Sequence, residues 1–469
     1  MSLATPDTIR RLQRKLYVKA KQEPSFRFYQ LYDKFYRQDV LAHAWALCRA
    51  NGGAPGVDGT TFAVIEASGR EQWLARLGKE LHDRSYDPDP VRRVMIPKPG
   101  GGERPLGIPT IRDRVAQTAA KLILEPIFEA DFEDSAYGHR PRRGARDAVE
   151  QVHRAICQGY TDVVDGDLAA YFDTIPHGDL LKAVGRRITD VHVLRLIRKW
   201  LKVPVEERDE RGRRRRSGGK RSTRGTPQGG VISPLLANIY MHRFLRAWRE
   251  RGKGTAFAAR IVNYADDFVI LSRGRAAAAL AWTRWALTHM GLTLNETKTR
   301  LCDARRERFD FLGYTFGLVH FRKDGHTYLG AQPSKTAAVR VKRKVQAVLQ
   351  AGIVSPWPEV RDGINRLLCG WSGYFDYGTR TLAYRAVDNY VLHAVQDFLQ
   401  RRHKVPGRGT RRYSDSAVFG ELGVLRLREV QLGRPARAVP RIQSESRMRE
   451  TRTSGLTSGD GKRSHGKPD

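Results

Sequence analysis

The chain has 469 residues, and its 84 lysines and arginines against 50 acidic residues give a formal net charge of +34. That length supports a substantial core and more than one domain, and so large a charge repels itself unless an anionic partner neutralises it. Nucleic acid is the expected partner, ahead of an anionic membrane; the longest apolar tract, near residues 276–287, is broken by Thr283 and Arg284 and cannot span a bilayer.

Cys48, Cys157, Cys302 and Cys369 lie far apart and form no CxxC pair. This argues against structural zinc and a disulfide framework and for a reducing compartment. The N-terminus has no secretory apolar core. Ile9, Leu12, Leu16 and Ala20 stand at helical spacing among basic residues, which reads as a basic helix of the fold rather than an organelle presequence. The expected location is cytoplasmic, in a ribonucleoprotein or nucleoid.

Residues 1–50 read as helical, with Phe26, Phe28, Tyr29, Tyr32, Phe35 and Tyr36 mostly in the core. Residues 51–59 are a Gly- and Pro-rich loop, and a helix is expected around 65–82. Residues 91–108 suggest a hairpin whose Gly-rich tip carries Lys98 and Arg104. Two cations on a tip of small residues can embrace a triphosphate, although such turns are more often only solvated. A helix over 112–128 follows, with Pro126 helping to end it. Residues 137–144 form a basic loop with Arg140, Arg142 and Arg143, open equally to phosphate contact and to plain exposure.

Residues 161–173 begin as a strand whose alternation puts Asp165 and Asp167 on one face. A carboxylate at a strand end is costly in apolar surroundings unless paired or metal-bound; the plain alternative is a helix cap. Residues 206–224 form a polar hairpin or loop containing Arg213, Arg214, Arg215 and Arg216, a solvated face or a nucleic-acid contact. Gly229 and Gly230 make a turn into an apolar helix with Leu235, Leu236, Ile239 and Phe244. Residues 261–271 read as a hairpin with Asp266 and Asp267 at its tip. Lys298 is a candidate acid toward a leaving phosphate. Residues 309–316 are strand-like, and beyond about residue 330 basic helices form a second unit. From about residue 435 the composition is that of a disordered tail.

Asp167, Asp266 and Asp267 together suit nucleotidyl transfer, where two divalent ions bridge the attacking hydroxyl and the triphosphate. Carboxylates are the natural ligands of Mg²⁺. At this point the chain resembles the reverse transcriptase–maturases encoded by group II introns. The resemblance rests on an ordered series of motifs: Pro97-Lys98 through Arg104-Pro105-Leu106-Gly107-Ile108-Pro109; Asp113-Arg114-Val115-Ala116-Gln117; Asp167 through Tyr171-Phe172-Asp173; Gly225-Thr226-Pro227-Gln228 through Ile239; Tyr264-Ala265-Asp266-Asp267; Leu294 through Lys298; Phe311-Leu312-Gly313-Tyr314; and Gly370-Trp371 through Tyr374. It spans residues 30–430.

The resemblance implies an α+β right-hand polymerase with fingers, a palm of split βαβ type with helices on one face, and an α-helical thumb. Its divisions would be an N-terminal helical extension and the start of the fingers over 1–90, fingers and palm over 91–330, an α-helical thumb or maturase unit with a basic DNA-binding-like region over 331–434, and the basic tail over 435–469. Asp167 and Asp266 would be direct ligands of two Mg²⁺ ions, with Asp267 assisting. Lys98 and Arg104 would clamp the triphosphate. Phe172 would be a steric gate against a 2′-OH, the alternative being core packing, and Gln228 would line the nucleotide or template pocket. The partners implied are intron RNA, an RNA template, a DNA primer or target and dNTPs, with no membrane. The last 60 or so residues hold no cysteine and only His465, so the zinc-binding nuclease domain of many members is not expected. Competing readings are an RNA-binding splicing cofactor with an idle polymerase, and a retron, diversity-generating or CRISPR-associated reverse transcriptase.

Overall fold

The computed structural model describes residues 3–97, 102–208, 213–320, 325–405, 407 and 411–430. The expected tail lies outside them. Among the described residues three sheets are surrounded by helices, an α+β arrangement.

The N-terminal helices Asp7–Gln22 and Gln38–Asn51 pack on the long helix Ile111–Glu129. Phe28, Tyr32 and Phe35 are core residues there, whereas Tyr29 is 71% exposed. The helix expected around 65–82 is two, Phe62–Ala67 and Arg70–His82, interrupted at Gly69. Pro126 does not end its helix, which runs on to Glu129. A proline orphans the carbonyl four residues back, and here Gln13 Nε2 supplies the missing donor to Leu122 O at 2.9 Å. The interruption is satisfied from a neighbouring helix, so the chain need not leave the helical path.

β1 (Val91–Pro97) and β2 (Glu103–Ile108) form the expected hairpin. β4 (Pro204–Arg208) pairs parallel to β1 and antiparallel to β5 (Arg214–Gly218), so the two basic hairpins share one sheet in the order β2-β1-β4-β5. That sheet reaches the turn before the helix Ser233–Glu250, because Gly107 N donates to Gln228 O at 2.6 Å.

The central sheet has the order β6-β7-β3-β8, from β3 (Asp162–Asp167), β6 (Ala259–Tyr264), β7 (Asp267–Ser272) and β8 (Arg300–Asp303), with every pair antiparallel. Helices lie on both of its faces rather than one. Val164, Phe268 and Ile270 pack with the helices Ser233–Glu250 and Ala276–His289. Val163, Val269 and Leu271 pack with the helix Ala145–Cys157 and with a third sheet of β9 (Phe309–Phe311), β10 (Tyr314–His320) and β11 (Thr327–Pro333). The cause is legible in β7, whose consecutive Phe268-Val269-Ile270-Leu271 gives both faces apolar side chains to bury. Glycine at position 166 is also explained: a Cβ there would lie 2.4 Å from the ring of buried Phe268.

The helices Lys335–Ala351, Trp357–Tyr374 and Thr381–Arg402 follow. They are tied to the third sheet by Tyr374 Oη donating to Leu312 O (2.9 Å) and Tyr314 Oη donating to Tyr374 O (2.8 Å).

Candidate active site

Register builds the site. Asp167 ends β3, Asp267 begins β7, and the pairing sets them directly opposite each other. Tyr264 faces Asp267 across β6 and β7, which leaves Ala265 and Asp266 as a two-residue turn. Asp266 therefore sits in the turn, while Asp267 belongs to the strand. Side chains opposed in a sheet share a face, so Asp165, Asp167 and Asp267 lie on the face that further along packs against the helix Ala145–Cys157.

The turn is held from outside. Ala265 adopts φ +57°, the left-handed conformation such tight hairpins need. Tyr137 N donates to Asn263 O and Asn263 N to Ser135 O, both at 2.8 Å, which lays residues 135–137 along β6. A Cβ on Gly138 would lie 2.5 Å from Ala265 N, so this approach requires glycine. Asn238 Nδ2 donates to Gly138 O (2.8 Å) and Asn263 Nδ2 to Ala265 O (2.9 Å).

The carboxylates are electrostatically coupled. Burial pushes the Asp267 carboxyl up to about 7, reinforced by the charges of Asp266, Asp167 and Asp165. Burial also raises Asp165, against its ion pair with Arg300 (3.3 Å). Asp167 Oδ2 accepts from Lys298 Nζ (2.9 Å) and Asn295 Nδ2 (3.0 Å), and the bond to Asp167 raises the Lys298 ammonium. Among the described residues no three acidic, imidazole or thiol side chains form a ready-made cation cluster. The hard oxygen donors and mutual repulsion at Asp167, Asp266 and Asp267 nevertheless fit a divalent cation, which would relieve that repulsion.

Phe172 is half-buried against the main core and makes an edge contact with fully buried Tyr171 (centroids 5.7 Å apart). Gln228 Nε2 donates to Asp173 Oδ2 (2.9 Å), joining the turn at 225–232 to the segment after β3. Lys98 lies outside the described residues. Arg104 is described only as backbone, in β2 opposite Ile96.

Among the arginines, the expectation for Arg140 is corrected. It is buried, its guanidinium pairs with Glu129 (2.7 Å) and donates to Glu133 O (2.7 Å) and Ala136 O (2.8 Å), and it lies over Phe132. Arg142 is exposed, and Arg143 pairs with Asp134 at 2.6 Å. Arg213, Arg214, Arg215 and Arg216 are exposed, with Arg214 and Arg216 flanking buried Glu206 at 3.5 and 3.0 Å.

A cavity of about 720 Å³ opens between the β9–β10 turn and the helices Lys335–Ala351 and Trp357–Tyr374. Arg340, Lys344 and Arg366 line it together with Trp371, Tyr374 and Phe375. Trp371 and Tyr374 stand out in the sequence within a motif, whereas these cations are scattered along two helices. Asn295 carries no distinguishing signal in the sequence, since asparagine is common in turns.

Residues 96–316 match the family described as reverse transcriptase (RNA-dependent DNA polymerase), and residues 338–414 match the group II intron, maturase-specific domain. The chain belongs to the group II intron reverse transcriptase–maturase family. By family it is an RNA-directed DNA polymerase, of a class that generally depends on divalent metal. This reverse transcriptase–maturase is 36% identical over 343 residues to Protein YkfC of Escherichia coli strain K12, covering 65% of this chain and 87% of YkfC. It is 36% identical over 219 residues to the group II intron-encoded protein LtrA of Lactococcus lactis, covering 46% of this chain and 34% of LtrA. The matched part is thus about a third of LtrA's length. A solved telomerase from Candida albicans, in complex with a fragment of telomeric RNA, aligns at a TM-score of 0.40 and 12% identity over 77% of this chain and 70% of that one. Among the described residues no helix is long and apolar enough to cross a membrane.

Proposed function

We propose that this chain copies RNA into DNA from a DNA primer, and that it binds its intron RNA and assists splicing and intron mobility. The observation that carries the polymerase reading is the β3–β7 register, which opposes Asp167 and Asp267 beside the Asp266 turn. We assign Asp167 and Asp266 as the residues that would hold two Mg²⁺ ions, with Asp267 lending charge beside them. When bound, the ions would activate the primer hydroxyl and offset charge on the triphosphate.

The chain's own side chains have separate tasks. Phe172, half-exposed after the strand end, packs against the sugar and excludes a 2′-OH. Gln228, tethered to Asp173, lines the pocket for the incoming or template base. Lys98, Arg104 and Lys298 neutralise phosphate oxygens, with Lys298 also able to protonate the leaving pyrophosphate. Residues 91–330 act as fingers and palm and 331–434 as thumb and maturase unit. The cations and aromatic faces of the 720 Å³ cavity suit a nucleic-acid strand, since stacking and phosphate contact together bind without regard to sequence.

Primer extension by purified protein on an RNA template with Mg²⁺ tests this reading. Asp266→Ala should abolish extension, while RNA binding and maturase-assisted splicing persist. Normal extension by that variant would refute the metal assignment, and loss of splicing with it would refute the separation of the two roles.

A further inference from the structure

Asn295 lies in a segment that runs beside the end of β3. Ala169 N donates to Thr293 O (2.9 Å), Leu168 bridges antiparallel to Leu294, and Asn295 N donates to Asp167 O (2.8 Å). The chain then turns on Asn295 O, which accepts from Lys298 N (3.1 Å) and Thr299 N (2.8 Å). This turn brings two side chains to a single oxygen: Asn295 Nδ2 is 3.0 Å and Lys298 Nζ 2.9 Å from Asp167 Oδ2. Thr297 Oγ1 donates to Asn295 Oδ1 at 2.8 Å, which commits the amide NH₂ to the carboxylate.

The two donors respond differently to a cation. Lys298 carries a charge on a side chain that is 65% exposed, and a divalent ion on Asp167 repels it at short range. Asn295 is neutral, half-buried and fixed through its own backbone, so the same ion leaves its hydrogen bond intact.

We propose that Asn295 is the positioning residue of this site: it keeps Asp167 Oδ2 engaged throughout and leaves Oδ1 for the cation, while Lys298 is the exchangeable partner, displaced by the cation toward the nucleotide phosphates. The inference rests on the metal assignment above. In its resting state the site is capped by its own lysine, and cation entry is an exchange of one positive charge for another.

The test uses the full-length chain with an RNA template annealed to a DNA primer. Mn²⁺ binding is read by water-proton relaxation, and extension is titrated with Mg²⁺. Asn295→Ala should weaken Mn²⁺ binding about tenfold and raise the half-saturating Mg²⁺ by a similar factor, as loss of a ligand's outer partner does. Its kcat at saturating Mg²⁺ should stay within about threefold of the parent, because the carboxylate is still present. Thr297→Val, at an exposed position, should weaken Mn²⁺ binding in the same direction by about two- to threefold, by freeing the amide. Lys298→Ala should leave Mn²⁺ binding unchanged or tighter and lower kcat at saturating Mg²⁺.

Parental Mn²⁺ affinity in both Asn295→Ala and Thr297→Val would overturn the positioning role, and Thr297→Val decides alone if Asn295→Ala does not fold. Weakened Mn²⁺ binding in Lys298→Ala would overturn the exchange. Asp266→Ala separates this inference from the functional reading. If that variant loses Mn²⁺ binding and extension while Asn295→Ala and Thr297→Val are both unaffected, only the Asn295 role fails; if it keeps both, the metal assignment fails.

Discussion

Gly166→Ala puts the register of the strands that carry the candidate site under test. Gly166 lies in β3 opposite Phe268 of β7, one residue before Asp167. A Cβ at this position would stand 2.4, 2.6 and 2.9 Å from three atoms of the Phe268 ring, which is 1% exposed and packed into the main core. The ring cannot retreat, so the strands must part or the ring must leave its rotamer, an overpacking cost of about 1–3 kcal/mol. Gly166 does not have a positive φ. Without the ring, alanine here would instead stabilise by about 0.4–1 kcal/mol, through the unfolded chain. The sign of the effect therefore decides whether Phe268 is the reason for the glycine. Denaturant titration followed by tryptophan fluorescence should show Gly166→Ala destabilised. In a Phe268→Leu background the same change should be near neutral, a coupling of roughly 2 kcal/mol. Extension should fall in Gly166→Ala and recover partly in the double variant, because Asp167 moves with its neighbour. A neutral or stabilising Gly166→Ala, or equal effects in both backgrounds, would refute the argument.

Three other outcomes follow from charge. Arg140→Met should destabilise the protein by about 3–5 kcal/mol, since it strands Glu129, yet leave the salt dependence of RNA binding unchanged. Replacing Arg213, Arg214, Arg215 and Arg216 by alanine should instead weaken RNA binding and flatten its dependence on salt, by close to one counterion for each phosphate that the hairpin no longer neutralises; an unchanged slope would remove that hairpin from the interface. His242 is held neutral, its pKa lowered to about 4 by burial and then by Arg246, Arg186, Arg249 and Arg140. Unfolded histidine titrates near 6.5, so stability is full above that pH and is lost as pH falls toward 4, by roughly 3 kcal/mol from this group. His242→Gln should flatten the thermal midpoint between pH 6.5 and 4, and an unaltered profile would assign the acid sensitivity elsewhere.

Residue types in local patterns carried the candidate site groups and most of the local structure. Carboxylates at 167, 266 and 267, the basic hairpins and the helical second unit are written as residue types in local patterns, and local patterns fix strands, turns and helix faces. What crosses the chain was not legible. Arg140 looked like its exposed neighbour Arg142, and only the fold brings Glu129 and two carbonyls around it. Pro126 looked like a stop because the donor that rescues its helix, Gln13, lies more than a hundred residues away. The central sheet's second helical face depended on a third sheet that local alternation could not pair with it. The candidate site shows the same division. Asp167 and Asp267 are a hundred residues apart in the chain, and the strand register makes them neighbours; Asn295 gained a role only because a backbone bond to Asp167 aims its amide at that carboxylate. Residue identity sets which groups can ionise, ligate or donate, but their energies depend on separation and burial, and those are properties of the assembled structure.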